Sequence, residues 1–405
     1  MSALFPFRAL RPAPDVAARV ASVPYDVINT DEARTLASGN PLSFLHVTRS
    51  EIDLPAGTNP YDAVVYEQAV RNFEELKRSA PMLMEDEPSL YCYRLRMGTH
   101  EQTGLAGCFA VDEYERGLVK KHEKTRKDKE DDRTRHITEL RAQTGLVFLT
   151  YRASAAINEI TARVSQRVPT YDVVASDGVV HTVWQVTGAD RDALVAAFGA
   201  LDALYIADGH HRAASAARAR QALASGNART ADAEQFVAVA FPDDQMQILP
   251  YNRVVKDLAG HSVESLLAAL QAVGDVQPGA ATPVGPGMVS FFLGARWYSM
   301  PLPSPAPGAS RADSLDVEVL QTRVLEPLLQ VGDPRSDKRI DFVGGIRGTA
   351  ELERLVNEGH AAIAFALHPV SIADLMSIAD AGGIMPPKST WFEPKLRDGL
   401  LVHLI

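Results

Sequence analysis

The chain of 405 residues carries 41 Lys and Arg against 51 Asp and Glu, a formal charge of −10, with 46% hydrophobic and 23% charged residues. That balance is ordinary for a soluble globular protein of about two or three domains, and it counts against nucleic acid as the main partner. Cys92 and Cys108, the only two cysteines, are too few for a disulfide framework and cannot by themselves make a zinc site.

The opening MSALFPFRALRPAPDVAARV has no apolar core before a small-residue cleavage site. No window reaches the length of a membrane span, and AAIAFALHPVSI is far too short. The expectation is a cytoplasmic protein with no membrane partner. In VPYDVINTDEARTLA an extended piece ends near Val27 or Ile28, and Thr30 is the expected cap of a helix starting at Asp31. Val65, Ala69, Val70, Phe73 and Leu76 then recur at helical spacing. SLYCYRLRM and TGLAGCFAVDEY read as two strands joined by a polar turn at Gly98 and Thr99.

From Val119 to Arg141 the chain is dense in charge of both signs, with hardly an apolar residue before Ile137. That is the pattern of a long solvated helix. GLVFLTYR and GVVHTVWQVT resume strand character, and the helix DRDALVAAFGA leads to an apolar LYIA that runs into DGHHR. QFVAVAFPDDQMQILPYNRVV opens as a buried strand. Two Pro- and Gly-rich runs, DVQPGAATPVGPGM and MPLPSPAPGASRADS, are loops or domain joints around a hairpin candidate, VSFFLGARWYSM. Helices and strands alternate beyond it. The expected fold class is α/β to α+β, with mixed, at least partly parallel sheets and helices. Three stretches are expected: residues 1–118, then 119–255 with HEKT and DGHHR, then 256–405 ending in the PKST loop and a final strand.

The strand–turn–helix at Leu204–Leu223 concentrates chemistry. Asp208 and Gly209 form the turn, and the helix start exposes backbone N–H groups and a positive dipole end. Placing His210, His211 and Arg212 there works against the helix, and uncompensated cations invite an anion. Phosphate suits best, because Arg212 can take it bidentately while the amides cap it. A plain turn with Asp208 as cap, and a metal site, are the alternatives.

Other polar clusters join it. In KKHEKTR, His122, Lys124, Thr125 and Arg126 are candidate phosphate contacts, while Glu123 is a candidate base or Mg²⁺ ligand. GGIMPPKSTWFEPKLRDG places Lys388, Ser389 and Thr390 in a rigid loop: one point charge and two short donors, without the spacing of a Walker loop. Asp26, in SVPYDVIN, is a candidate base at a strand end, beside Tyr25 and Asn29. Asn252 and Arg253, in ILPYNRVVKD, stand just after another strand.

YIADGHHRAASA, HEKTRKDKEDDR, SVPYDVIN and MPPKSTWFEPKL together resemble the bacterial family known as domain of unknown function 1015, over essentially the whole chain. That family brings no firmly assigned activity. Asp208, Gly209, His210, His211 and Arg212 also resemble, more distantly, the nucleotide-binding turn of the ParB and sulfiredoxin superfamily, which includes an archaeal kinase that phosphorylates free serine using ADP. This resemblance implies a nucleotide-binding element of that type in the central region. The expected activity is a kinase-like phosphotransferase that uses ATP or ADP with Mg²⁺ on a small hydroxyl-bearing metabolite of the serine kind. Asp208, His210, His211, Glu123 and Asp26 are then the candidate catalytic groups, and Asp208 and Glu123 the candidate metal ligands. A hydrolase of a phosphorylated metabolite and a non-catalytic nucleotide-binding regulator are the alternatives. The oligomeric state stays open.

Overall fold

The structure, a computed structural model, describes residues 4–226 and 230–405. The chain forms two compact units, Met1–Met246 with Pro394–Ile405, and Gln247–Glu393. The first unit is built on one mixed sheet. Neighbour to neighbour it runs through Val119–Lys120, Leu204–Asp208, Val147–Tyr151, Gln235–Pro242, His100–Ala110, Leu90–Met97, Val180–Val186 and Tyr171–Val174, with Leu4–Phe5 added against His100–Ala110. Two pairings are parallel: Val119–Lys120 with Leu204–Asp208, and Val147–Tyr151 with Gln235–Pro242.

The alanine-rich helix His210–Ser225 packs on this sheet. Ala213, Ala216 and Ala217 lie in one buried cluster with Val147, Leu149, Leu204, Ile206 and Ala238. Small side chains let the helix axis approach the strands, which fixes its first turn close to the strand ends. The strand Leu204–Asp208 shifts register against Val147–Tyr151 between Ile206 and Asp208. Such an irregularity re-aims the side chain that follows it.

Two sequence expectations need correcting here. The cap of the helix Thr30–Ala37 is Asn29 rather than Thr30: its side chain accepts the N–H groups of Asp31 and Glu32, and Glu32 reaches back to the Asn29 N–H at 2.9 Å. A carbonyl oxygen one residue earlier completes the reciprocal box, which a threonine hydroxyl at 30 does not. The charged stretch does form a helix, Lys127–Leu140, but not a wholly solvated one, for it buries Asp132, His136, Ile137 and Leu140. A helix without an apolar stripe can still be buried when its inward groups are paired.

The second unit carries a sheet in the order Gln277–Pro278, Arg296–Pro301, Met288–Leu293, Ile363–Leu367, Tyr251–Val255 and Ile340–Gly344. Every pairing in it is antiparallel. The alternation of strand and helix here does mark a crossover: Ile340–Gly344 and Ile363–Leu367, joined through the helix Gly348–Asn357, run the same way. The strand Tyr251–Val255 lies between them and opposes both, a split βαβ arrangement. Val254, Phe292, Val343, Leu352 and Ala364 form the core beneath it. Both Pro- and Gly-rich runs connect elements of this unit. Among the described residues no helix is long and apolar enough to cross a membrane.

Candidate functional site

Each residue of DGHHR has a separate task, and all five are performed inside the first unit. Asp208 ends its strand with one carboxylate oxygen accepting the Gly209 N–H at 2.8 Å and the other accepting from Lys395 Nζ at 2.9 Å. Burial alone would raise this carboxyl; the charges of Lys395 and Arg212 and the bonds from Lys395 and Gly209 outweigh it and hold the pKa well below the usual carboxylate range. Asp208 is therefore ionised and engaged.

Gly209 turns the chain at φ 91° and ψ 29°. A Cβ there would sit 3.4 Å from both Arg212 Nη1 and the Val147 Cα, so space is tight but adequate and the obstacle is the left-handed backbone. Gly209→Ala is expected to cost about 1–2 kcal/mol, read as a lower urea midpoint at unchanged slope. An unchanged midpoint would show that the turn tolerates another conformation.

The two histidines hold a loop. The His122 N–H donates to His210 Nε2 at 3.4 Å, and the Arg126 N–H donates to His211 Nε2 at 3.0 Å. The stretch carrying Glu123, Lys124 and Thr125 is thus fastened at both ends. Its entry is set by Val119–Lys120 pairing parallel to Leu204–Tyr205, which brings both strands to the same edge of the unit. His122 and His210 meet edge to face with centroids 4.4 Å apart. Burial lowers both, His122 to about 4, against the opposing charge of Asp208. Accepting an N–H requires a lone pair, so both helix histidines act as neutral acceptors at those nitrogens.

Arg212 is the remaining cation of the helix start, and it already has an anion. Its Nη2 forks to Asp26 at 2.8 and 2.9 Å, and its Nη1 donates to the Leu146 carbonyl at 2.7 Å. The guanidinium is 7% exposed, whereas the Asp26 side chain is 34% exposed. Desolvation opposes the charge, but Asp26, Asp208 and Asp398 together raise the arginine further above its ordinary value. The helix start therefore does not present three unpaired cations: His210 and His211 accept N–H groups at Nε2, and Arg212 is met internally by Asp26.

Around this centre sit groups that the sequence did not point to. Arg133, on the charged helix, lies 4.2 Å from the Tyr25 ring centre and donates to Asp132 at 2.8 Å, which also accepts from the Tyr66 hydroxyl at 2.7 Å. Lys395 and Asp398 come from Pro394–Ile405, tied in by backbone bonds in both directions between Ser22 and Asp398. The available signal for Arg133 was the lack of an apolar stripe on its helix, which left only polar groups to face inward. Lys395 and Asp398 lay within FEPKLRDG, where a lysine and an Asp-Gly pair read as loop residues.

Other candidates fall as follows. Lys124 is exposed. Thr125 donates to Glu130, Arg126 pairs with Asp128 at 2.7 Å, and Glu123 lies 3.8 Å from His210 Nδ1. Asp208 and Glu123 do not form a ligand set for Mg²⁺: Asp208 is taken by Lys395, and among the described residues no three His, Cys, Asp or Glu side chains are grouped to hold a metal. The remaining candidates lie in the second unit. Asn252 accepts the Leu367 N–H at 3.1 Å, and Arg253, 3% exposed, donates to the carbonyls of Tyr251 and Pro387. Lys388 takes φ 57° with its ammonium 5.4 Å from the Tyr251 ring centre, and Ser389 donates to the Pro386 carbonyl at 2.6 Å. Thr390 is half-buried.

Solved structures similar to this chain include a conserved hypothetical protein from Pyrococcus furiosus, at 14% identity and a TM-score of 0.36, covering 74% of this chain and 95% of that one. A free serine kinase in complex with AMP matches at 13% identity and TM-score 0.36, covering 73% and 91%. SbnI with a C-terminal truncation from Staphylococcus aureus matches at 11% and 0.36, covering 74% and 87%. No curated protein sequence matches significantly. The family model described as protein of unknown function, DUF1015, matches residues 4–318, and the chain belongs to that family.

Proposed function

We propose that the chain is a nucleotide-dependent phosphotransferase that acts on a small hydroxyl-bearing metabolite, with Asp26 orienting the acceptor hydroxyl and taking its proton. The observation that carries this reading is the Asp26–Arg212 fork. A carboxylate that reaches solvent is held by a buried arginine in the first turn of a 16-residue helix. Phosphoryl transfer is mainly positioning and charge neutralisation, so it wants a fixed carboxylate for the acceptor beside a fixed anion site for the donor.

The helix start fits phosphate. Its cap, Gly209, has no side chain, and no side-chain bond caps the turn, which leaves first-turn amides directed outward. The loop held by His210 and His211 brings Lys124 and Arg126 as nearby cations. A bound ATP or ADP supplies the transferable phosphoryl group. The acceptor hydroxyl is held by Asp26, and Arg212 keeps that carboxylate in place. The metal set expected for Mg²⁺ does not fit, and no step is assigned to it. The phosphate-binding role read from Lys388, Ser389, Thr390, Asn252 and Arg253 belongs to the second unit and is tested separately by Lys388→Ala.

Calorimetric titration with ATP and ADP, followed by phosphorus NMR of reactions with a panel of small hydroxyl compounds, tests the reading. The expected result is nucleotide binding and a new phosphomonoester that requires both substrates. Inorganic phosphate without a phosphomonoester would turn the assignment to a hydrolase, and binding without turnover to a regulator. Binding of neither nucleotide would remove it.

A further inference from the structure

Behind the Asp26–Arg212 pair lies a cavity of about 30 Å³, walled in part by Tyr25, Arg133, Thr144, Gly145, Arg212 and Asp398. A space of that size accommodates about one water molecule. Asp398 is 2% exposed, and its Oδ2 finds no hydrogen-bond partner in the protein; neither does the buried Nε of Arg212. Both side chains border one point. A methyl group on Gly145 would stand 3.3 Å from Arg212 Cδ, 3.6 Å from its Nε and 3.5 Å from Asp398 Oδ1. Buried polar atoms are nearly always paired, so an acceptor and a donor left over on the same small cavity call for a common explanation.

Arg212 is positioned between two carboxyl groups. One side of its guanidinium forks to Asp26; the Nε side borders the cavity with Asp398. We propose that Asp398 is a positioning residue for Asp26: when ionised it competes for Arg212 and loosens the fork, and when protonated it leaves the guanidinium to Asp26. The proposal rests on the reading of Asp26 as the acceptor-orienting carboxylate.

Charged and titratable neighbours face Asp398 from every side. Arg212 comes from its helix, Tyr25 and Asp26 from the segment before Asn29, Arg133 and His136 from Lys127–Leu140, and Arg397 from its own segment. His136 is neutral, pushed down to about 4 by burial and by Arg133. Burial pushes the Asp398 carboxyl up to about 7, Asp26 adds to that, and the arginines pull against it. The protonated state therefore dominates below that value and the ionised state above it.

Carboxyl-detected NMR of the full chain labelled at aspartate reads the coupling without any assay. The Asp398 resonance, identified by its loss in Asp398→Asn, is expected to titrate near pH 7. The Asp26 resonance, identified by its loss in Asp26→Asn, is expected to show an inflection at the same pH that vanishes in Asp398→Asn. An Asp26 signal indifferent to Asp398 overturns the proposal. Should Asp398→Asn not fold, Gly145→Ala serves instead, because its methyl group presses between the two side chains. The Asp398 midpoint and the Asp26 inflection must then move together, and separate movement overturns the coupling. In the transferase assay, Asp398→Asn is expected to lose the fall in kcat on the alkaline side and to exceed wild type by roughly tenfold at about pH 8, with KM for nucleotide unchanged. A variant that keeps the alkaline fall overturns the proposal. If no nucleotide supports turnover, the functional reading fails on its own, while the NMR titration still decides whether Asp398 and Asp26 are linked.

Discussion

Arg212→Ala is expected to lower the stability of the first unit by about 3–5 kcal/mol, the usual cost of removing one partner from a buried ion pair. Three losses coincide. Asp26 gives up its fork, the Leu146 carbonyl gives up a donor at 2.7 Å, and Asp398 keeps its burial without the cation that most opposes it. Arg212→Lys should recover part of this, since an ammonium keeps a charge for Asp26, which meets Nη2 alone, but has no second nitrogen for the Leu146 carbonyl. The measurement is urea unfolding followed by the fluorescence of Trp184. That residue is 4% exposed in the core of the first unit, whereas Trp297 and Trp391 belong to the second. Trp297→Phe and Trp391→Phe in the background isolate the signal. A loss under about 1 kcal/mol would place the pair with ordinary surface bridges and deny Arg212 its structural role.

Asp26→Asn is expected to reduce kcat by about 10²–10⁴-fold, the range for loss of a positioned general base, while leaving nucleotide affinity within about twofold. The separation follows from the geometry. Asp26 reaches solvent and contacts Arg212, whereas the expected phosphate contacts are the helix amides at His210–Arg212 and the cations of the fastened loop. Asparagine keeps one oxygen for the arginine fork, so folding should suffer less than in Arg212→Ala. Steady-state kinetics paired with calorimetric titration of the same variant would check both halves. Full activity in Asp26→Asn would exclude the carboxylate from the reaction. A parallel collapse of nucleotide binding would mean that Asp26 holds the donor site together instead.

The strand–turn–helix at Leu204–Ser225 was legible because its signals are local: four apolar residues, an Asp-Gly turn, then a run of alanine. The same is true of Ala63–Ser79 and the hairpin at Met288–Pro301. What the polar residues do there was not legible. Arg212 and Asp26 are 186 positions apart, and Asp208 and Lys395 are 187 apart, so no spacing rule relates them. His210 likewise looked like a cation because its type was visible and its burial was not; desolvation by the surrounding core opposes its charge. The Asn29 cap was missed by one position because Asn, Thr and Asp stand in succession, each able to cap.

In the second unit the helix–strand alternation pointed to a partly parallel sheet, yet every pairing there is antiparallel, because the two like-directed strands are not neighbours. Strand order was beyond reach, because Tyr251–Val255, which separates the two parallel strands, comes from well upstream. The charged helix illustrates the opposite limit. Its composition described the solvent face well and concealed Asp132 and His136, whose burial depends on Tyr66, Arg133 and the Val47 carbonyl.

The first unit is discontinuous in sequence: it is left after Met246 and resumed at Pro394. During synthesis the ribosome must therefore deliver all 147 residues of Gln247–Glu393 before Lys395 and Asp398 emerge. Until then Asp208 waits without its ammonium partner, and Ser22 without the strand bridge to Asp398. Contacts so distant along the chain form late because the intervening segment must first be closed into a loop. On a nascent chain the centre built around DGHHR is thus among the last parts to mature, and the completed charge network reports that the second unit has already been made.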